Sequence, residues 1–417
     1  MSGSYYLRCI GCGREYGSNE IIYMCHECGD LLAVEFCDLH LPLSIDDVWK
    51  ERPISVWRYR ELLPIEDETK IISLGEGGTT LNLCRRLAAS LGLKWVYVKN
   101  EGENPTGSFK DRGMTVGVTK AVEVGMKRVA CASTGNTSAS LAAYASKAGL
   151  ECIVLIPSGK IAFGKLIQAI IHGARVLQIR GNFDEALKIV SEICTLHYIY
   201  LLNSLNPYRL EGQKTIAYEI RDQLNGEVPD KVIVPVGNAG NISAVWKGFV
   251  ELRNLGFIDN LPQMIGIQAE GAAPIAESLK KGREKVEFVA KPETLATAIR
   301  IGSPVNWKKA VRAVKESGGL VETVSDDEIL EAQRFLAQHE GLFVEPASAA
   351  SIAGLRKLVK SGQINVDEKV VCIATGHGLK DPGIVLKQFP EPLEVDADVE
   401  SIEQALRLQK IYAEAKV

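Results

Sequence analysis

The chain has 417 residues, 46% hydrophobic and 24% charged, enough to bury two ordinary cores and unlike a disordered composition. Its formal net charge of -4 offers no excess positive field for a phosphate backbone, so nucleic acid is excluded as an expected partner. The first residues show no basic start before an apolar run, and no apolar run is long enough to span a bilayer; a soluble cytoplasmic protein is expected.

Cysteine usage sets the N-terminus apart. Of ten cysteines, four fall in two Cys-x-x-Cys-Gly units, Cys9 to Gly13 and Cys25 to Gly29. This is the spacing of a zinc ribbon. Each glycine lets the chain turn sharply enough for backbone amides to face the thiolates, and four thiolates close a tetrahedral site with no position open to substrate. A zinc on Cys9, Cys12, Cys25 and Cys28 is therefore expected to be structural, with His26 outside the ligand set. Free or disulfide-paired cysteines are the alternative. Cys131, Cys152 and Cys372 lie in apolar runs where cysteine packs as a small hydrophobe, and the scattered distribution suits a reducing compartment.

From Trp95 onward, short apolar runs alternate with amphipathic segments. The runs are Trp95 to Val98, Arg128 to Ala132, Cys152 to Ile156, Arg175 to Ile179, Tyr198 to Leu202, Val232 to Val236, Met264 to Gln268 and Val370 to Ala374. The alternation predicts an α/β fold. Several runs are continuously apolar, as in strands covered by helices on both faces of a mostly parallel sheet. Pro262 and the charged stretch Lys280 to Lys285 read as surface connection. Ile402, Leu406 and Ile411 mark the tail from Asp396 to Val417 as an amphipathic helix.

Three polar, glycine-bearing loops each follow such a run and each precede an expected helix: Ser133 to Thr137, Gly237 to Asn241, and Thr375 to Gly378. Open α/β sheets collect ligands at that end of their strands. The middle loop is the best anion site, because its glycines admit a close backbone approach and a helix expected near Ile242 points its positive end there. Gly159 to Lys165 has the spacing of an ATP-binding loop, but Leu166 stands where a hydroxyl must hold magnesium, and no dinucleotide fingerprint appears. In Asn104 to Gly113, a turn signal leads through small and apolar neighbours to Lys110 and a predicted helix. Partial desolvation there favours the neutral amine that Schiff-base chemistry needs, whereas a solvated surface lysine is the alternative reading of the residues alone.

The string Asn104-Pro105-Thr106-Gly107-Ser108-Phe109-Lys110-Asp111-Arg112-Gly113 resembles the lysine segment of the threonine synthases, a family of fold-type II pyridoxal-phosphate (PLP) enzymes. Leu74 to Leu81, Ser133 to Ala139, Gly159 to Leu166, Asn203 to Arg209, Gly237 to Asn241 and Ala374 to Gly378 agree with it in order and spacing, over roughly residues 70 to 380. The ribbon-like start resembles family members that carry such an extension. The resemblance implies a tryptophan synthase β-like fold: two open, mostly parallel twisted sheets flanked by helices, plus the ribbon-like segment. Residues 1–45 would form that segment, 46–105 with 205–417 the large PLP domain, and 106–204 a small domain closing over substrate.

It further implies that Lys110 holds PLP as a Schiff base and that Asn136 bonds the pyridine 3-oxygen. Gly237, Asn238, Ala239, Gly240 and Asn241 would cradle the cofactor phosphate, and Thr375 would meet the pyridine nitrogen. A hydroxyl in that place leaves the ring a weaker electron sink, suited to elimination and replacement. Ser133, Thr134, Thr137, Asn203, Ser204, Arg209 and Asn241 correspond to positions around a substrate phosphate, Arg209 being the natural bidentate partner. The implied reaction turns O-phospho-L-homoserine and water into L-threonine and phosphate, with Lys110 as anchor and proton carrier. Expected partners are that small substrate and a second copy of the chain, with neither nucleic acid nor membrane. Threonine or serine dehydratase, cysteine synthase and cysteate synthase share a Ser-x-Lys core but usually lack the full string. A zinc-ribbon binding protein on an abandoned enzyme scaffold should have lost Lys110 or a phosphate loop.

Overall fold

In a computed structural model the described residues are 4–414, apart from 38, 40, 43, 159–162, 182 and 390. Met1–Lys380 forms one compact unit and Asp381–Val417 a second. The N-terminal sheet consists of β1 (Tyr5–Cys9), β2 (Glu15–Gly17) and β3 (Leu32–Phe36), antiparallel in the order β2-β1-β3. Tyr5, Leu7 and Cys9 alternate onto the buried face of β1, opposite Leu32 and Val34 of β3. Period-two burial fixes the register, since a slip by one residue would turn the whole apolar set to solvent.

The other strands are β4 (Leu81–Leu83), β5 (Trp95–Asn100), β6 (Arg128–Ala132), β7 (Glu151–Pro157), β8 (Arg175–Ile179), β9 (Tyr200–Leu201), β10 (Lys231–Pro235), β11 (Gln263–Ala269), β12 (Leu320–Val324) and β13 (Lys369–Ala374). A six-stranded sheet runs β12-β11-β10-β13-β5-β4, parallel except for β4; a four-stranded parallel sheet runs β8-β7-β6-β9. The class is the expected α/β fold with two mostly parallel sheets. Why β10 is continuously apolar is visible in its neighbours. Val232 and Val234 enter one core cluster and Ile233 another, so helices cover both faces. Each such side chain stabilises the fold by about 1.5–3 kcal/mol relative to exposure.

Several local expectations shift. The helix expected near Ile242 begins at Gly240, and the Thr375 loop leads into a 3-10 turn, Gly378–Lys380, before the short helix Pro382–Leu386. Pro262 is buried at the entry to β11 instead of lying on the surface. Most of the glycine-lysine stretch with ATP-loop spacing, residues 159–162, lies outside the described residues; the helix Phe163–Ile171 follows it. The tail contains the helix Val399–Glu414. None of the described helices is long and apolar enough to cross a membrane.

Candidate active site

The loops after β6, β10 and β13 meet at the carboxyl ends of parallel strands, around a cavity of about 650 Å³. Lys110 opens the helix Lys110–Glu123 at its wall. Two features hold it there. Phe109 N donates to Thr375 O at 3.0 Å, and Ser108 bridges Gly376, so the lysine segment is stitched to the end of β13. The buried Asp111 carboxylate accepts from Thr106 N (2.7 Å), Thr106 Oγ1 (2.6 Å) and Ser140 Oγ (2.5 Å), closing the preceding turn. Burial raises the Asp111 carboxyl to about 6 even so.

Lys110 and Arg209 line one cavity, and the two helices that carry them touch backbone to backbone. A Cβ on Gly212 would run into the Arg112 carbonyl oxygen, and one on Gly113 would stand 2.6 Å from the Arg209 carbonyl oxygen. Only glycine lets Lys110–Glu123 and Tyr208–Gln223 approach so closely. Burial pushes the Lys110 amine down to about 7; Arg209 adds to the effect and the Glu345 carboxylate opposes it. Its Nζ lies 4.0 Å from the Phe109 ring centre. An amine with that pKa is substantially neutral at physiological pH and ready to attack an aldehyde.

Gly237 to Asn241 connects β10 to the helix Gly240–Asn254. Ala239 sits at φ +63°, left-handed backbone that costs a non-glycine residue about 1–2 kcal/mol and here turns the chain into the helix. A Cβ on Gly237 would stand 3.0 Å from Ile299 Cα. Among the described residues, both polar side-chain atoms of Asn241 are buried without a hydrogen-bond partner, as are Gln213 Oε1 and Asn306 Oδ1. All three residues line the cavity. Buried amides left unpaired cost about 1–3 kcal/mol each, so this wall is built for a polar ligand. PLP fits the set: an amine for its aldehyde at Lys110, a glycine-bearing loop at a helix N-terminus for its phosphate, and the Thr375 hydroxyl for its ring nitrogen. That hydroxyl lies 3.0 Å from Ser348 Oγ, which also accepts from Gly376 N at 2.8 Å.

Ser133, Thr134, Asn136, Thr137, Asn203, Ser204 and Arg209 line the same cavity. Arg209 is 1% exposed, and among the described residues it pairs with no carboxylate and its Nε has no hydrogen-bond partner. Burial pushes its guanidinium down to about 10. Burying a cation is costly unless an anion or hydrogen-bond acceptor meets it. Asn203 spends part of its amide on a two-bond bridge to the Ala132 backbone, at 2.9 Å each, and so also fixes the start of the Ser133 loop.

Glu345 is the residue that sequence reasoning missed. It occupies the N-cap of Pro346–Lys360 but makes no side-chain cap; its carboxylate instead accepts from Asn136 Nδ2 at 3.0 and 3.2 Å. A Cβ on Gly376 would stand 2.7 Å from Glu345 Oε1, so that loop glycine leaves room for the carboxylate. Pro346 signals a helix start, and nothing in that signal points the preceding acid into a cavity. The overhanging wall from Phe288 to Asn306 was missed as well, since it has no periodicity to read.

At the N-terminus, the Sγ atoms of Cys9, Cys12, Cys25 and Cys28 all lie within 4.8 Å of one another. Cys9 Sγ is 3.4 Å from Cys28 Sγ and Cys12 Sγ 3.5 Å from Cys25 Sγ, close to the edge of about 3.8 Å that zinc–sulfur bonds of about 2.3 Å give a tetrahedron. Gly11 N and Cys12 N face Cys9 Sγ, and Gly13 and Gly29 turn at φ +77° and +70°.

A cavity that brings together a lysine of lowered pKa, a glycine-bearing loop at a helix N-terminus and a buried threonine hydroxyl on this scaffold fits an enzyme of the PLP class. The family model described as "Pyridoxal-phosphate dependent enzyme" matches residues 72–376. Threonine synthase of Methanocaldococcus jannaschii is 58% identical over 402 residues, 96% of this chain and 99% of that one. Threonine synthase of Mycobacterium tuberculosis is 52% identical over 368 residues, 88% and 99% of the two chains. Among solved structures, maize serine racemase superposes with a TM-score of 0.62 at 20% identity over 81% of this chain and 93% of that one. The processed form of threonine deaminase isoform 2 from Solanum lycopersicum gives 0.60 at 22% over 80% and 83%; both likenesses establish the fold alone. The chain belongs to the PLP-dependent enzymes and, within them, to the threonine synthase family.

Proposed function

We propose that the chain converts O-phospho-L-homoserine and water into L-threonine and inorganic phosphate. The observation that carries this reading is Arg209: a buried guanidinium with no carboxylate among the described residues, on the wall that also carries Lys110. Bound PLP supplies the electron sink that acidifies the bonds at the substrate's α carbon. Lys110 anchors it and, with a pKa of about 7, moves a proton on and off Nζ beside the reacting carbons. Arg209 and the hydroxyls of Ser133, Thr134, Thr137 and Ser204 bind the substrate phosphate with its leaving oxygen. That phosphate departs from the γ carbon with the bonding pair, water supplies the hydroxyl at the β carbon, and the γ carbon becomes the methyl group.

Zinc on the four N-terminal thiolates, a second copy of the chain as partner and a cytoplasmic location complete the proposal. A dehydratase substrate carries a neutral hydroxyl and would leave Arg209 buried and unpaired, which disfavours that reading. The test supplies O-phosphohomoserine, threonine, and O-phosphoserine with sulfite in parallel, and measures phosphate, 2-oxobutyrate and cysteate. Phosphate release from O-phosphohomoserine should dominate and fall by roughly 2–4 kcal/mol in transition-state terms for Arg209→Ala. Faster 2-oxobutyrate release from threonine, or unchanged phosphate release by the variant, would overturn the assignment.

A further inference from the structure

The segment that joins the two cysteine units also grips the segment that carries Asn203, Ser204 and Arg209. At one end, Tyr23 Oη accepts a hydrogen bond from Leu201 N at 2.8 Å, with the Tyr23 and Tyr200 rings edge to face at 5.8 Å. At the other end, Tyr208 Oη donates to Ser18 O at 3.1 Å, and the Tyr208 ring meets Tyr5 of β1 edge to face at 6.2 Å. Ser18 and Tyr23 both lie between Cys12 and Cys25, so one short stretch fastened by the cysteine cluster clamps both ends of residues 201–208. The ribbon is itself anchored elsewhere. Lys247 Nζ donates to Val34 O at 2.7 Å and Lys309 Nζ to Leu32 O at 2.8 Å, while Leu7, Cys9 and Cys25 share a core with Val116 of the Lys110 helix.

The structure assigns the ribbon a positioning role: it holds the phosphate-binding segment in register, with Tyr23 and Tyr208 as the positioning residues. The inference rests on the phosphate reading of Arg209 given above. Binding an anion between groups on different elements depends on their being held before the ligand arrives, because ordering them on binding subtracts from affinity. A fastener remote from the reacting carbons should therefore act on phosphate affinity more than on chemistry.

The experiment titrates holoprotein with inorganic phosphate by calorimetry and measures KM and kcat for O-phosphohomoserine. The proteins compared are the natural chain, Tyr23→Phe, the Tyr23→Phe/Tyr208→Phe double variant and Arg209→Ala. Removing the two hydroxyls while keeping the rings should weaken phosphate binding and raise KM by about 3- to 10-fold in the double variant. Its kcat and the cofactor absorbance should hold within about twofold, as for a loss confined to binding. Unchanged phosphate affinity in the double variant, with affinity lost in Arg209→Ala, overturns the ribbon's role and leaves the phosphate reading standing. Unchanged affinity in both overturns the two together. A matching loss of cofactor also overturns the proposal, since the hydroxyls would then hold the fold and not the segment.

Discussion

Arg112 and Glu219, 107 residues apart, meet through two hydrogen bonds: Nη1 to Oε1 at 2.6 Å and Nη2 to Oε2 at 2.8 Å, with both side chains fully buried. The same guanidinium reaches Glu101 through Nε and Nη2 at 2.6 and 2.8 Å, and Lys99 Nζ joins Glu219 at 2.6 Å. Two cations and two anions thus tie β5 and the turn after it to the helices of Lys110 and Arg209. Arg112→Met should cost about 3–5 kcal/mol in denaturant unfolding, because it strands buried carboxylates. Burial alone would raise the Glu219 carboxyl, but Arg112 and Lys99 outweigh it and hold it at about 2. A depressed carboxyl stabilises above its unfolded pKa of about 4.3 and loses that contribution as pH falls through the folded value. Unfolding free energies should therefore drop between about pH 4 and 2 more steeply in the natural chain than in Glu219→Gln. Equal slopes would remove Glu219 from the account.

Gly212→Ala tests the close contact between the helices that carry Lys110 and Arg209. The new methyl meets the Arg112 carbonyl, a backbone atom that no rotamer change can move aside. Overpacking of this kind costs about 1–3 kcal/mol or more. The melting temperature should fall, and phosphate affinity with it; an unaltered protein would show that the helices can part without consequence.

In cofactor-free protein, competitive acylation of Lys110 across pH should report a pKa of about 7. Glu345→Gln removes the carboxylate that raises this value, so the variant should titrate lower; Arg209→Ala removes a depressing charge and should titrate higher. A Lys110 that titrates like a surface lysine, near about 10.4, would contradict the desolvation argument.

What the sequence yielded follows from how local each signal is. The cysteine units, the continuously apolar strands and the three loops are encoded within a few neighbouring residues, and the expected runs at Arg128–Ala132 and Arg175–Ile179 coincide with β6 and β8. β4 escaped because it has only three residues, and β12 because Glu322 and Thr323 interrupt its apolar pattern. Lys99, Glu101, Arg112 and Glu219 look like surface charges in the chain, and only their pairing across distant segments makes burial tolerable. Glu345 carries only the helix-start signal of the following Pro346, which says nothing of the cavity it reaches.

Protein purified without chelator should carry about one zinc per chain on Cys9, Cys12, Cys25 and Cys28. Its removal should loosen the N-terminal sheet while leaving PLP bound, since no thiolate of the cluster lines the cavity. Metal content near zero, with four titratable thiols in the native fold, would sink the zinc reading.

The claim on which everything else depends is that the cofactor is attached at Lys110 and nowhere else. Borohydride reduction of the yellow holoprotein followed by peptide mass mapping measures it. A single pyridoxyl label should appear on Lys110, and none in Lys110→Ala, which should also lack turnover. A label on any other lysine, or none in an active protein, would contradict it.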